Sequence, residues 1–260
     1  MPRDFPGSPG TDPSIIGGAF RDTVWVLRHD GLRTIALSIL LLTPIEAMTV
    51  WLQAHTPGKP YSPLAIAFAL SVGWPLHTAF LSLFIGGLAW RVDRLLHGHR
   101  ASLRDTARHG LRRWPTMMGI EMVCGAAMLG GLVLLIVPGL MITTRWLVAP
   151  QVAAIEGLGL RDALARSDYL TKGWRWSALG VFAIEMVGYY GGYYAIQLPL
   201  YAMGGSLLRE PIPMMLNQYL FTSLHAALFM GLSVIFYTAF FHRLVAARGL
   251  KGETAAQVFD

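Results

Sequence analysis

The sequence predicts an all-α membrane protein of six transmembrane helices, arranged as three repeats of an interfacial amphipathic helix followed by a transmembrane hairpin. Three observations predict it. The 260 residues are 54% hydrophobic and only 14% charged, against roughly 25% charged in a soluble domain, and the mean hydropathy is +0.48. Three stretches share one pattern: Arg21-Asp22 leads to Ile45-Glu46-Ala47-Met48, Arg104-Asp105 to Ile120-Glu121-Met122-Val123, and Arg161-Asp162 to Ile184-Glu185-Met186-Val187. Such repetition fixes an architecture before any single motif is read. Finally, there is room for six spans of about 20 residues, the length that crosses a hydrocarbon core, with little chain left for a soluble domain.

Residues 1–14, with Pro2, Pro6, Pro9 and Pro13 among Gly and Asp, read as a disordered polar tail and not as a signal peptide. Residues 15–248 form the six-span domain and 249–260 a cytoplasmic tail. Between Arg33 and His55 the only charge is Glu46, which gives a first span over 34–54 kinked at Pro44. The second, 63–90, holds no Asp, Glu, Lys or Arg. The third, 115–137, encloses Glu121 and ends at a tight turn made by Pro138-Gly139. The fourth, 140–156, is short and carries Arg145; the fifth, 176–203, surrounds Glu185; the sixth is 214–242.

Orientation follows from the basic residues of the connections. Arg3, Arg21, Arg28 and Arg33 precede the first span, and Arg91, Arg94, Arg100, Arg104, Arg108, Arg112 and Arg113 follow the second. Arg161, Arg166, Lys172 and Arg175 follow the fourth, and Arg243, Arg248 and Lys251 the sixth. These eighteen face Lys59 and Arg209 on the other side, which places both termini in the cytoplasm.

Three cytoplasmic segments, 15–28, 92–114 and 160–170, carry apolar residues at helical spacing opposite arginines. They are expected to lie along the interface, against anionic lipid or against protein. The basic face of the second, Arg100, Arg104, Arg108, Arg112 and Arg113, is the candidate lipid-binding surface. Trp90, Trp114, Trp174 and Trp176 sit at predicted cytoplasmic span ends as interface anchors.

Glu46, Glu121 and Glu185 occupy equivalent places in the repeats. An ionised carboxylate in hydrocarbon costs at least ~2.5 kcal/mol, so each should face the bundle interior or water, or be protonated. The alternative is a neutral carboxyl bonded to a neighbouring Ser, Thr or Tyr, or one that reaches the interface, as Glu121, only ~9 Å along its helix from Pro115, could do. Arg145 stays charged in any surroundings and needs a carboxylate, with Glu121 or Glu185 on the adjacent predicted spans the expected partner, or a phosphate, or a route to the outer headgroups. Glu156, His77 and His225 complete the intramembrane polar candidates. His97-Gly98-His99 alone is weak evidence for a metal, so no metal is assigned and no cofactor is implied. Cys124, the single cysteine, reads as a packing residue. Gly188-x-x-x-Gly192 permits close helix approach, within the bundle or at a dimer seam; the oligomeric state stays open. Signatures of soluble enzymes are missing: there is no phosphate loop, nucleophile elbow, His-Glu-x-x-His pair or dinucleotide glycine pattern.

One stretch is similar to a known family. Ile136-Val137-Pro138-Gly139-Leu140, Arg145-Trp146, Ala149-Pro150, Glu156-Gly157-Leu158-Gly159, Ala163-Leu164, Arg166-Ser167, Leu170-Thr171, Gly173 and Trp176 resemble the signature of the glycerophosphodiester phosphodiesterase membrane-domain family. That resemblance implies a six-span bacterial membrane protein with a short fourth span. It implies no hydrolase, since nothing here resembles the soluble catalytic domain fused to some relatives. Three functions are carried forward. The first is a membrane scaffold or adaptor binding partner proteins or anionic lipid, and not nucleic acid. The second is a transporter or lipid-handling protein with a polar route lined by Glu46, Glu121, Glu185 and Arg145. The third, least favoured, is an intramembrane phosphodiesterase using Glu121 or Glu156 as base.

Overall fold

The computed structural model describes residues 14–54, 62–134, 136–204 and 221–249. The expected tails, apart from Ser14 and Gly249, together with Lys59, Arg209 and the start of the sixth predicted span, lie outside the described residues. Every regular element described is helical: α1 (Ile15–Ala54), α2 (Pro63–Phe68), a π-helical turn (Ala69–Gly73), α3 (Trp74–Leu96), α4 (Leu103–Leu134), α5 (Ile136–Trp146), α6 (Ala149–Ile155), α7 (Leu160–Thr171), α8 (Arg175–Gly204) and α9 (Thr222–Gly249).

Among them three are long and apolar enough to cross a membrane, over Ile15–Thr49, Ser71–Leu96 and Thr222–Gly249; the sequence predicts six. The physical reasons differ. The first half of α4 is the arginine-rich segment, and Glu121 lies in the second. In α8, Glu185 stands among five tyrosines and several glycines. The fourth predicted span is broken. Its first piece, α5, has 11 residues and covers only ~16 Å at 1.5 Å per residue.

Two of the three amphipathic segments are not separate interfacial helices. The first continues without interruption into α1, 40 residues long with Pro44 inside it. No proline stands between Arg28 and Thr34, and Gly31 alone costs a helix only about 1 kcal/mol. The second is divided. Helix α3 runs on to Leu96, and the chain then turns through Gly98 at φ 78°. Ser102 next caps α4, its Oγ accepting from the Asp105 N–H at 3.1 Å and donating to Asp105 Oδ2 at 2.6 Å. Only the third, α7, stands alone, 12 residues long and followed by Gly173 at φ 86°.

Pro138-Gly139 is likewise not the turn itself. It falls in the first turn of α5, where a missing N–H is tolerated; residue 135, between α4 and α5, lies outside the described residues. What Gly139 permits is contact: a Cβ on Gly131 would lie 2.7 Å from the Gly139 Cα, so α4 and α5 touch backbone to backbone.

The helix pairs α1 and α9, α3 and α4, and α8 and α9 pack antiparallel. Helix α1 meets α9 where Asp22 reaches Arg243 and where Ser38 fills the space above Gly231. Helix α3 lies on α4 so closely that a Cβ on Gly110 would stand 2.7 Å from the Leu83 carbonyl oxygen. In α8, Gly188 and Gly192 receive Phe229 and His225 of α9, so this notch serves packing within the chain. A core of Leu42, Leu88, Met117, Ile120, Val152, Ile235, Phe240 and Leu244 is fully buried between these faces.

Candidate functional site: a polar cavity beside a broken helix

Helix α5 is stopped at Trp146 by a proline four residues further on. Pro150 has no N–H to offer the Trp146 carbonyl, and its ring crowds that carbonyl. The chain therefore turns at Leu147 and Val148 before α6 begins. The Arg145 carbonyl freed by the break accepts from the hydroxyls of Ser167, at 2.9 Å, and Thr171, at 3.2 Å, both on α7. Irregular backbone among membrane helices is tolerated where protein or a cavity covers it. Here both cover it.

A cavity of about 400 Å³ opens against this break, walled by α3, α4, α5, α6, α8 and α9. Each wall is one helical stripe. Helix α3 presents Trp74, His77, Thr78, Leu81 and Ile85, and α4 presents Glu121, Cys124, Gly125 and Met128. Trp146, Leu147, Pro150 and Gln151 come from the break, Phe182 and Glu185 from α8, and Ser233 and Tyr237 from α9. Trp74 and His77, three residues apart on α3, share the inward face, and a π-helical turn, Ala69–Gly73, lies just before them. Such turns recur at functional sites.

The three glutamates of the Ile-Glu pattern come together in this region by different routes. Glu121 and Glu185 line the cavity. Glu46 does not, but its Oε1 lies 3.0 Å from Nε2 of His77, which does. The Tyr237 hydroxyl donates to Glu185 Oε2. The Gln151 side-chain oxygen is buried with no hydrogen-bond partner among the described residues, and no Lys or Arg is among the described residues that line the cavity. The cavity is thus apolar over most of its wall, with an acidic, acceptor-rich patch.

The other predicted residues sit elsewhere. Arg145 does not pair with Glu121 or Glu185. Its neighbour Trp146 faces the cavity, so Arg145, about 100° earlier around the helix, points to α7. There its Nε lies 2.9 Å from Asp168 Oδ1, an oxygen it shares with Arg175, also at 2.9 Å. The pair is 45% and 34% exposed and is not buried in the bundle. Glu156 ends α6 and is bound by Arg166 at 3.2 Å. His225 contacts the Tyr189 carbonyl at 3.1 Å within a cluster of Tyr193 and Phe229.

On the basic segment, Arg100, Arg104, Arg108 and Arg112 are exposed. Arg113 turns inward and donates to the Gly157 carbonyl at 2.7 Å. Trp114 donates to the Ala79 carbonyl on α3, and Trp90 stacks on His109. Trp176 is exposed and Trp174 half-buried. The repeated aspartates also diverge: Asp22 is buried against Arg243, Asp105 belongs to the α4 cap, and Asp162 is exposed.

Sequence reasoning missed three groups of residues. His109 contacts the Ala154 carbonyl at 2.8 Å, and burial, opposed by that bond and reinforced by Arg113 and Arg112, holds its pKa below the ordinary 6.5. Tyr237 and Gln151 line the cavity, yet neither breaks the local pattern. Asp93, His97 and His242 cluster at the end of α3; the Asp93-x-x-x-His97 spacing was a visible signal, but nothing local pointed to His242.

Fold and site together define a class: an all-helical protein, with helices able to cross a membrane, that carries an open, ligand-sized pocket with a carboxyl-bearing wall. Comparison of the chain with protein-family models, with curated proteins and with solved structures finds no match.

Proposed function

We propose that this is a six-span inner-membrane protein with both termini in the cytoplasm that binds, and passes across or along the bilayer, an amphiphile with a cationic or hydrogen-bond-donating head group. In this reading it belongs with the glycerophosphodiester phosphodiesterase membrane-domain proteins it resembles and has no hydrolase activity of its own. The observation that carries the reading is the cavity. Its volume lies in the range of small-molecule sites, whose walls are mostly apolar with a few placed polar groups. It lies against a discontinuous helix, as substrate sites of many transporters do. Its polar groups include two carboxyls, the imidazole that Glu46 orients and an unmet amide oxygen, beside the hydroxyls of Thr78, Thr143, Ser233 and Tyr237. That chemistry suits an ammonium or hydroxyl head and disfavours a phosphodiester, which would call for a cation in the wall.

The test uses the full chain in nanodiscs with tetraphenylphosphonium as the apolar cation, read by fluorescence of Trp74 and Trp146 at the cavity wall. Saturable quenching that weakens at least tenfold in the Glu121→Gln, Glu185→Gln double variant is expected. Quenching that never saturates, or that the double variant leaves unchanged, refutes the reading.

The scaffold reading keeps one observation in its favour, the exposed arginines of α4 beside exposed Leu103 and Leu111. Replacing Arg104, Arg108 and Arg112 by Glu should lower retention of phosphatidylglycerol during purification, each contact contributing ~1 kcal/mol. Equal retention would remove this reading.

A further inference from the structure

We propose that Asp93, His97 and His242 form a binding site for a divalent transition-metal ion, zinc(II) by ligand type, that clamps the end of α3 to α9. Asp93 and His97 are one helical turn apart, with His97 just past the last residue of α3, and His242 comes from α9 across the interface. Asp93 Oδ1 lies 3.3 Å from His97 Nδ1 and 3.1 Å from His242 Nε2. One donor atom from each of the three residues falls within 4.8 Å of the others. In a tetrahedral site with bonds of ~2.0–2.1 Å, donor atoms stand ~1.6 bond lengths apart, or ~3.3 Å. Two of the three separations already have that value. Closing the third takes a small swing of the His97 ring, which lies across from His242 with centroids 5.3 Å apart.

The donor set selects the ion. Two imidazoles with one carboxylate suit zinc and its neighbours, whereas magnesium and calcium prefer all-oxygen shells. Three protein ligands leave a fourth position for water. Asp93 and His242 are only 14% and 18% exposed, while His97 is 60% exposed, so the site has a fixed floor and an open side for entry. The one competing contact is the His97 Nδ1 bond to the Asp93 carbonyl at 2.8 Å, which the ion replaces. The same two helices supply His77 and Tyr237 to the cavity, so an ion here fixes the spacing of two cavity walls. This site stands independently of what the cavity binds.

The experiment uses the full chain with a tag that binds no metal, stripped with chelator in detergent. Zinc chloride is titrated by calorimetry, and cobalt(II) serves as the spectroscopic substitute. One ion per chain is expected, with cobalt absorption showing nitrogen ligation. Loss of an outer-shell partner alone lowers metal affinity 10–100-fold, so His242→Ala and Asp93→Asn should each lower it by more than ~100-fold. His97→Gln, on an exposed turn that has no part in the core, tests the site without risk to folding and should do the same; His99→Gln should change nothing. Zinc should raise the thermal midpoint of the wild type and not that of His97→Gln. If binding is absent, or persists equally in His97→Gln, or follows His99 instead, the cluster is a hydrogen-bonded carboxylate and imidazole group only and the proposal is wrong.

Discussion

Asp22 and Arg243 join the two ends of the chain, and their removal should be among the most damaging single changes in the protein. The guanidinium meets the carboxylate at two points, Nε and Nη2 each 2.7 Å from an oxygen, and the side chains are only 2% and 10% exposed. Gly18 makes the geometry possible, since a Cβ there would lie 2.8 Å from Arg243 Nε. Arg243→Met leaves a buried carboxylate without a counter-charge, and breaking a buried pair from one side costs about 3–5 kcal/mol. Asp22→Leu leaves the guanidinium in the same position and should cost a similar amount. The double variant removes both charges and keeps the volume, so it should return to within about 1 kcal/mol of wild type or exceed it. Unfolding in mixed micelles by added sodium dodecyl sulfate, followed by tryptophan fluorescence, reads all four proteins. If either single variant loses less than about 1 kcal/mol, the pair behaves as a surface ion pair. If the double variant loses the sum of the two singles, burial is not what gives the pair its weight. Either result refutes the reasoning.

Arg145→Ala should have little effect in the same assay, less than about 1 kcal/mol, because its pair is half-exposed and Arg175 remains on Asp168; a loss of several kcal/mol would mean that Arg145 compensates a buried charge after all. His109 makes the protein acid-sensitive. Its folded pKa is held below 6.5, so the stability it contributes is present above the unfolded value and is lost as the pH falls through the folded one, because the unfolded chain takes up the proton more readily. His109→Gln, which keeps a donor for Ala154 but does not titrate, should lose less stability than wild type between about pH 7.5 and 5.5; parallel curves would exclude His109 as the cause. For topology, single cysteines introduced near Lys59 and Arg209 in a Cys124→Ala background should react with an impermeant maleimide from outside intact cells. Those near Arg100 and Lys172 should not, and the inverse pattern would reverse the orientation.

The sequence alone determined the local properties of this chain. Helical character and apolar length follow from composition and periodicity, and Glu121, Glu185 and His77 stood out because each interrupts an apolar run. Even the helix break was written there, as Pro150 among good helix formers, although it read as a short span. Tertiary structure decided the pairings. Arg145 binds Asp168 and not a glutamate because its angular position around α5, fixed by Trp146 turning into the cavity, carries it toward α7. The glutamates share one region because α4, α8 and, through His77, α1 turn those faces inward. Asp93 meets His242 only because α3 and α9 lie side by side, though most of the chain separates them. Hydropathy and period are sums over neighbours in sequence, whereas a partner is set by which helix faces pack across the bundle. The first could therefore be read from the residues in order and the second only from the fold.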